Sequence, residues 1–166
     1  GSVLQDCKRM SFDLKNRTST VPVERTIARI EQALAKAGAS TVVKEYGPKA
    51  DVAALTFTIE LGADGAFTVR LPVNTRAIAD RMLAARVAKA RGRRTRGTVT
   101  RDTFMPQAER TAWKLMQDWV EVQLSLIAMQ QADFLAVFLP YVYDGATRMT
   151  FYERIQRGGA RKMLTG

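Results

Sequence analysis

The side chains of this chain with the clearest chemical role are the cations of residues 81–101. This stretch carries eight Lys or Arg residues and no Asp or Glu. Cationic side chains neutralise phosphates, and each neutralised phosphate releases counterions from a nucleic acid, which favours binding. The stretch therefore indicates a class of partner rather than a chemical reaction.

The predicted nucleic-acid contacts lie in this stretch and in the basic C-terminus. They are Arg86, Lys89, Arg91, Arg93, Arg94, Arg96, Arg101, Arg157, Arg161 and Lys162. The helix dipole alone would favour Lys89 and Arg91, because cations near a helix C-terminus gain about 0.3–1 kcal/mol. It does not explain the cations after Gly92, for which nucleic-acid contact, docking of an acidic protein and a solvated loop are the alternatives. No group here is placed to distinguish bases, so we expect sequence-tolerant binding.

The charge of the whole chain also favours a polyanionic partner. The 166 residues have a formal net charge of +10 and an isoelectric point of about 10.3. Such a polycation attracts nucleic acid, anionic lipid or acidic protein before any specific contact forms. We expect DNA rather than RNA as the partner, with an acidic host protein as the alternative.

The absence of His and the presence of one Cys restrict the catalytic chemistry. They exclude metal sites built from His or Cys, and they exclude Ser-His and Cys-His catalytic pairs. No Gly-rich phosphate loop ending in Lys-Ser or Lys-Thr occurs either. We therefore expect no enzyme activity, no cofactor and no bound metal. The enzymatic alternative is a metal-dependent nuclease that uses carboxylates alone, with Glu60, Asp118, Glu121 and Asp144 as candidates.

The cysteine content and the hydropathy predict a cytoplasmic protein without a membrane partner. Cys7 is the only Cys, so an internal disulfide cannot form, as is usual in a reducing compartment. No apolar run approaches the roughly 20 residues that span a bilayer. We interpret Gly1 and Ser2 as a cloning remnant, and residues 3–8 as leader sequence before Met10.

Apolar periodicity predicts a helix and then three strands in the first half of the chain. The helix follows Pro22 and ends at Gly38. The strands are predicted at residues 41–46, 55–61 and 67–71, with a tight hairpin connecting the last two and Pro72 ending the third. This order describes a three-stranded antiparallel meander.

The second half of the chain is predicted to be helical. Asn74 is a suitable N-cap for a helix that Gly92 ends, and a basic loop follows. Pro106 then opens the longest helix, at residues 107–130. A short helix follows it and ends at Pro140.

The predicted fold class is α+β, with a helix, the meander, a second helix, the long helix and short C-terminal helices. Thr150 and Glu153 have the spacing of a capping box for the last of these. Residues 1–20 are predicted to be a tail able to dock across a neighbouring surface, and residues 21–166 a single domain, with 92–104 as the candidate seam to a helical C-terminal subdomain.

The long helix is apolar around most of its circumference. This is typical of a helix that is central to a fold or shared with another subunit. One of its apolar stripes contains Leu115, Trp119, Val122 and Leu126. If the chain's own helices leave these side chains uncovered, we expect them to form a homo-oligomer interface or to dock a host protein.

Two resemblances bear on fold and setting. The order helix, meander, helix resembles the double-stranded-RNA-binding domain, and Gly47-Pro48 lies where that family has a Gly-Pro. The chain lacks the family's His after that pair, and it lacks the Lys-Lys pair where the second helix begins, at Thr75-Arg76. The segments SFDLKNRTSTVPVERTI, QAERTAWKLMQDWVEVQL and FLPYVYDG resemble small uncharacterised bacteriophage and prophage proteins. That resemblance implies the host cytoplasm and an accessory to phage replication, recombination or annealing, or else an adaptor or inhibitor of a host protein.

Overall fold

The computed structural model describes residues 13–90 and 99–158, which form five α-helices and five strands. In chain order the elements are α1 (Val23–Lys36), β1 (Ala39–Tyr46), β2 (Val52–Glu60), β3 (Ala66–Pro72), α2 (Thr75–Ala90), α3 (Arg101–Ala128), α4 (Phe134–Phe138), β4 (Tyr143–Asp144), β5 (Met149–Thr150) and α5 (Phe151–Gly158). The predicted α+β class and its element order are confirmed. The predicted basic loop lies largely outside the described residues, as does most of the seam.

The sheet is an antiparallel meander with the strand order β1-β2-β3. Val42, Phe57 and Val69 are register partners on one face, which the helices cover. The other face is polar, because side chains alternate along a strand. It carries Thr41, Glu45, Thr56, Thr58, Thr68 and Arg70. The alternation that predicted one apolar and one polar face is therefore confirmed.

The hydrophobic core lies between the covered face of the sheet and helices α1 and α3. Trp113 of α3 is 1% exposed, and Phe57 of β2 has the same exposure. The rings of Phe57 and Phe138 meet edge to face, with centroids 5.7 Å apart. Of the two positions expected for the long helix, central to the fold or shared with another subunit, the buried Trp113 supports the central one.

Three helix ends have the capping residues that the sequence predicts. The Asn74 side chain accepts a hydrogen bond of 3.1 Å from the Ala77 amide at the start of α2. Thr150 and Glu153 form the predicted capping box, because the Glu153 carboxylate accepts from the Thr150 amide at 2.7 Å and the Glu153 amide donates to the Thr150 hydroxyl at 3.3 Å. Gly38 follows α1 with a φ of 97°, which a glycine adopts without steric cost.

The long helix begins earlier than predicted. It starts at Arg101, with Thr100 in an extended conformation at the N-cap, so Pro106 lies inside the helix instead of opening it. Proline there lacks the amide that would bond to the Asp102 carbonyl one turn earlier, and its ring opposes that carbonyl. Phe104, in the first turn, is half-buried. The helix was predicted to end at about residue 130, and it ends at Ala128.

The C-terminal part contains a small hairpin that the sequence did not predict. Strands β4 and β5 pair antiparallel, and Val142 forms a bridge with Val69 of β3. Helix α4 is followed by a short 3-10 helix, Leu139–Tyr141, which brings Tyr141 toward α3. Within residues 13–90 and 99–158, no helix is both long and apolar enough to cross a membrane.

Candidate nucleic-acid interface

Four cations surround one cleft between residues 13–20, which we call the N-terminal segment, and helix α2. The cleft has a volume of about 630 Å³ and is called the basic cleft below. Its lining residues are Asp13, Leu14, Arg17, Thr18, Arg81, Met82, Ala85, Arg86, Lys89, Phe104 and Gln107. Four cations face the single carboxylate of Asp13, so the formal charge of the lining is +3.

The N-terminal segment forms one wall of the basic cleft because polar contacts fasten it to α3. Asp118 accepts a hydrogen bond of 3.0 Å from the side-chain amide of Asn16. It also forms an ion pair with the Lys15 ammonium, at 2.8 Å. Burial by itself raises the pKa of Asp118, but hydrogen bonds from Lys15, Asn16 and Lys114 outweigh it and lower the pKa to about 2. Asp118 is therefore a charged anchor for this wall.

Further contacts hold the backbone of the same segment. The Thr111 hydroxyl donates to the Asn16 carbonyl at 3.1 Å, and the Gln107 amide donates to the carbonyls of Arg17 at 2.9 Å and Ser19 at 3.0 Å. Asn16 has a φ of 61°, in the left-handed region that Asn tolerates better than most residues. Residues 13–20 of the predicted tail thus pack on α3 in a defined turn.

Two of the predicted binding residues, Arg86 and Lys89, lie on the α2 side of the basic cleft. They are three residues apart on one helix, so their side chains share a face, and both are exposed. Arg17 faces them from the N-terminal segment. Its ion pair with Asp13 is long, at 3.8 Å, and both side chains are more than half exposed. Such a pair contributes little stability, and a phosphate can replace the carboxylate.

The other predicted binding residues do not join this cleft within the described chain. Arg101 forms an ion pair with Asp80 of α2, so its charge is partly neutralised within the chain. Arg157 lines a separate depression on α5, together with Arg148. Six predicted binding residues lie outside the described residues, namely Arg91, Arg93, Arg94, Arg96, Arg161 and Lys162.

A second cleft, of about 640 Å³, has a balanced charge and suits a polyanion less well. It lies between the start of α1, the turn after β1 and helix α3. Its charged lining consists of Lys44, Lys49, Arg110, Glu24, Asp51 and Glu109. Burial raises the pKa of Glu109, and the nearby carboxylates of Asp51 and Glu24 raise it further. Three cations and three carboxylates cancel formally, in contrast to the basic cleft.

The predicted subunit interface is partly covered by the chain itself. Trp119 packs edge to face against Phe138 and Tyr141, with ring centroids 5.5 Å apart in both pairs. Leu115 and Trp119 line an apolar groove of about 340 Å³ between α2 and α3. Leu126 is half-buried, while Val122 is 54% exposed.

Three of the four carboxylates considered for a nuclease, Asp118, Glu121 and Asp144, have partners within the chain. Asp118 anchors the N-terminal segment, and Glu121 accepts a hydrogen bond of 2.7 Å from Gln117. Asp144 lies in the β4–β5 turn, where the Ala146 amide and then the Thr147 hydroxyl lower its pKa. Among residues 13–90 and 99–158, no three His, Cys, Asp or Glu side chains are grouped so that they could hold a metal ion.

Sequence reasoning missed Arg17 and Phe104 as lining residues of the basic cleft. Nothing local distinguishes Arg17 from the other cations of a polar segment, because its position depends on contacts with α3 about 90 residues away in the chain. Phe104 was assigned to a loop because the helix start was placed at Pro106. Comparison with protein-family models, curated proteins and solved structures finds no match to this chain.

Proposed function

We propose that this chain is a sequence-tolerant nucleic-acid-binding protein that holds a phosphate backbone in the basic cleft. The observation that supports the proposal most directly is the convergence of Arg17, Arg86 and Lys89 on one concave surface. Cations from two elements, far apart in sequence, surround a single path for a polyanion. The sequence adds four arginines directly after Ala90, in residues 91–96.

The proposed role is binding without turnover, as a phage-type accessory to replication, recombination or annealing in the host cytoplasm. DNA is the proposed partner, on the resemblance to bacteriophage and prophage proteins stated above. The phosphate contacts fix position and carry no base information, so binding should tolerate most sequences.

The test is a comparison of two triple variants that remove equal charge. One removes the cleft cations, as Arg17→Ala, Arg86→Ala and Lys89→Ala. The control removes Arg25, Arg29 and Lys36, which are exposed on α1 and line no part of the basic cleft. Each variant lowers the formal net charge from +10 to +7. Binding to labelled DNA and RNA is measured by fluorescence anisotropy at several salt concentrations.

We expect the cleft variant to lose at least about tenfold in affinity at about 50 mM salt, and the magnitude of its salt slope to fall by about 2–3. The control variant should lose much less affinity, because the charges that it removes lie away from the basic cleft and are screened by salt. Undetectable binding by the unmodified protein, or equal losses in both variants, would refute the proposal.

A second candidate function is docking of a host protein as an adaptor or inhibitor. The 54% exposure of Val122 favours it, since Val122 follows Trp119 of the apolar groove by three residues on α3 and so shares its helical face. A partner that nuclease treatment does not release, and that is lost with Val122→Lys, would support docking over nucleic-acid binding.

A further inference from the structure

The bottom of the basic cleft is apolar, although its rim is cationic. Leu14 of the N-terminal segment, Met82 of α2 and Phe104 of α3 are half-buried and line the cleft together. We call these three side chains the apolar floor. Phosphate binding needs charge and hydrogen-bond donors, so it does not account for an apolar surface contributed by three separate elements. If the cationic rim binds a phosphate, the apolar floor suits another group of the same ligand. This group must be apolar and close to the phosphate.

A base of a single strand has both properties. In a duplex the bases are paired and stacked inside. A concave protein surface around the backbone therefore contacts phosphates and not the faces of the bases. In a single strand an unstacked base is free to turn toward the protein and to pack on an aromatic side chain. The cleft volume of 630 Å³ is within the range of about 300–1,000 Å³ that is usual for sites enclosing a small molecule.

We propose that the basic cleft binds single-stranded nucleic acid in preference to duplex, with one base packed against Phe104 while Arg17, Arg86 and Lys89 contact the adjacent phosphates. This inference rests on the proposed function and narrows the partner to single-stranded nucleic acid. Leu14 and Met82 flank the base in this arrangement, and they tolerate any base because they offer no hydrogen-bonding groups. Sequence-tolerant binding is therefore retained.

The first experiment uses the unmodified protein and three probes of about 12 nucleotides, within the usual range of single-strand site sizes. The probes are a single strand, the same strand in a duplex, and an abasic single strand that keeps the phosphates and sugars. At about 50 mM salt we expect the intact single strand to bind about tenfold more tightly than either of the others. Equal affinities for the three probes would overturn this inference and leave the proposed function standing. No binding of any probe would overturn both.

The second experiment compares Phe104→Leu with Tyr152→Leu. Phe104→Leu keeps an apolar side chain and removes the ring, whereas Tyr152 is an exposed aromatic on α5 that lines no part of the basic cleft. We expect Phe104→Leu to lose about tenfold in affinity for the intact single strand and to bind the abasic strand as the unmodified protein does. Tyr152→Leu should bind all probes unchanged. Unchanged binding of the intact strand by a folded Phe104→Leu variant would overturn the inference.

Discussion

The side-chain amide of Asn16 donates a hydrogen bond of 3.0 Å to the carboxylate of Asp118, 102 residues later in the chain. This contact holds the N-terminal segment on α3 and so positions one wall of the basic cleft. The wall also depends on the backbone of Asn16, whose carbonyl accepts from Thr111 at 3.1 Å. The shape of the cleft therefore depends on a polar residue far from the cationic stretch.

Substitution of Asn16 should loosen this wall without changing the charge. We expect Asn16→Ala to lower the free energy of unfolding by about 1–2 kcal/mol, because it loses a hydrogen bond to a charged group and because Ala tolerates the left-handed region less well than Asn. Asn16→Gly should cost less, since glycine adopts that conformation freely. Urea unfolding measures both costs, and equal costs would show that the backbone conformation contributes nothing. Affinity for DNA should fall several-fold in Asn16→Ala if the wall matters for binding.

Protonation of Asp118 at low pH should lower the free energy of unfolding. Its pKa is about 2 in the folded chain, below the ordinary value of 3.8, so the unfolded chain binds more protons as the pH falls. The stabilisation is complete above about pH 4 and is lost as the pH falls toward 2, with a size of about 1 kcal/mol after solvent screening. Urea unfolding at several pH values measures the decrease. Asp118→Asn should show a smaller decrease, and an unchanged pH dependence in that variant would contradict the assignment.

The parts of the fold predicted from sequence are those that depend on neighbouring residues. Alternation of Leu55, Phe57 and Ile59 predicts the central strand, since successive side chains point to opposite faces. The caps at Asn74 and Thr150 depend on residues three positions away, so their patterns are visible in the sequence.

The parts that sequence did not predict depend on distant contacts. The N-terminal segment was interpreted as a tail able to dock on a neighbouring surface, but the surface was not predicted, because its partner Asp118 is 102 residues away from Asn16. The ion pair of Arg101 was not predicted, because Asp80 becomes its neighbour only when α2 and α3 pack together. For the candidate site, Arg86 and Lys89 could be predicted from charge, whereas Arg17 could not.

A bidentate ion pair spans the polar face of the sheet. Arg70 of β3 donates to both carboxylate oxygens of Glu45 of β1, at 2.8–3.0 Å, and the Thr56 hydroxyl donates to the same carboxylate at 2.6 Å. The hydrogen bond from Arg70 is the main cause of the lowered pKa of Glu45. Because both side chains are partly exposed, we expect a coupling energy of about 1 kcal/mol in a double-mutant cycle of Glu45→Gln and Arg70→Ala. Additive effects in urea unfolding would contradict this coupling.

Phe138 should be among the most costly positions to truncate. It is 0% exposed, and its ring contacts Phe57, Trp119 and Phe134. Phe138→Ala should lower the free energy of unfolding by about 3–5 kcal/mol, because it removes buried apolar surface and leaves a cavity. Tyr152→Ala, at a position that is 54% exposed, should change it by less than about 0.5 kcal/mol. Tryptophan fluorescence during urea unfolding compares the two variants, and similar costs would show that Phe138 is not central to the core.

The ion pair between Arg101 and Asp80 should restrain nucleic-acid binding. Asp80 lies beside Arg81, which lines the basic cleft, and its carboxylate partly neutralises Arg101. Asp80→Asn removes that negative charge, so Arg101 becomes available to a phosphate. We expect a higher affinity for DNA and an increase of about 0.7–0.9 in the magnitude of the salt slope, as for one added phosphate contact. Asp64→Asn, which changes the charge equally at an exposed turn after β2, is the control. An equal gain in both variants would mean that net charge, and not the release of Arg101, raises the affinity.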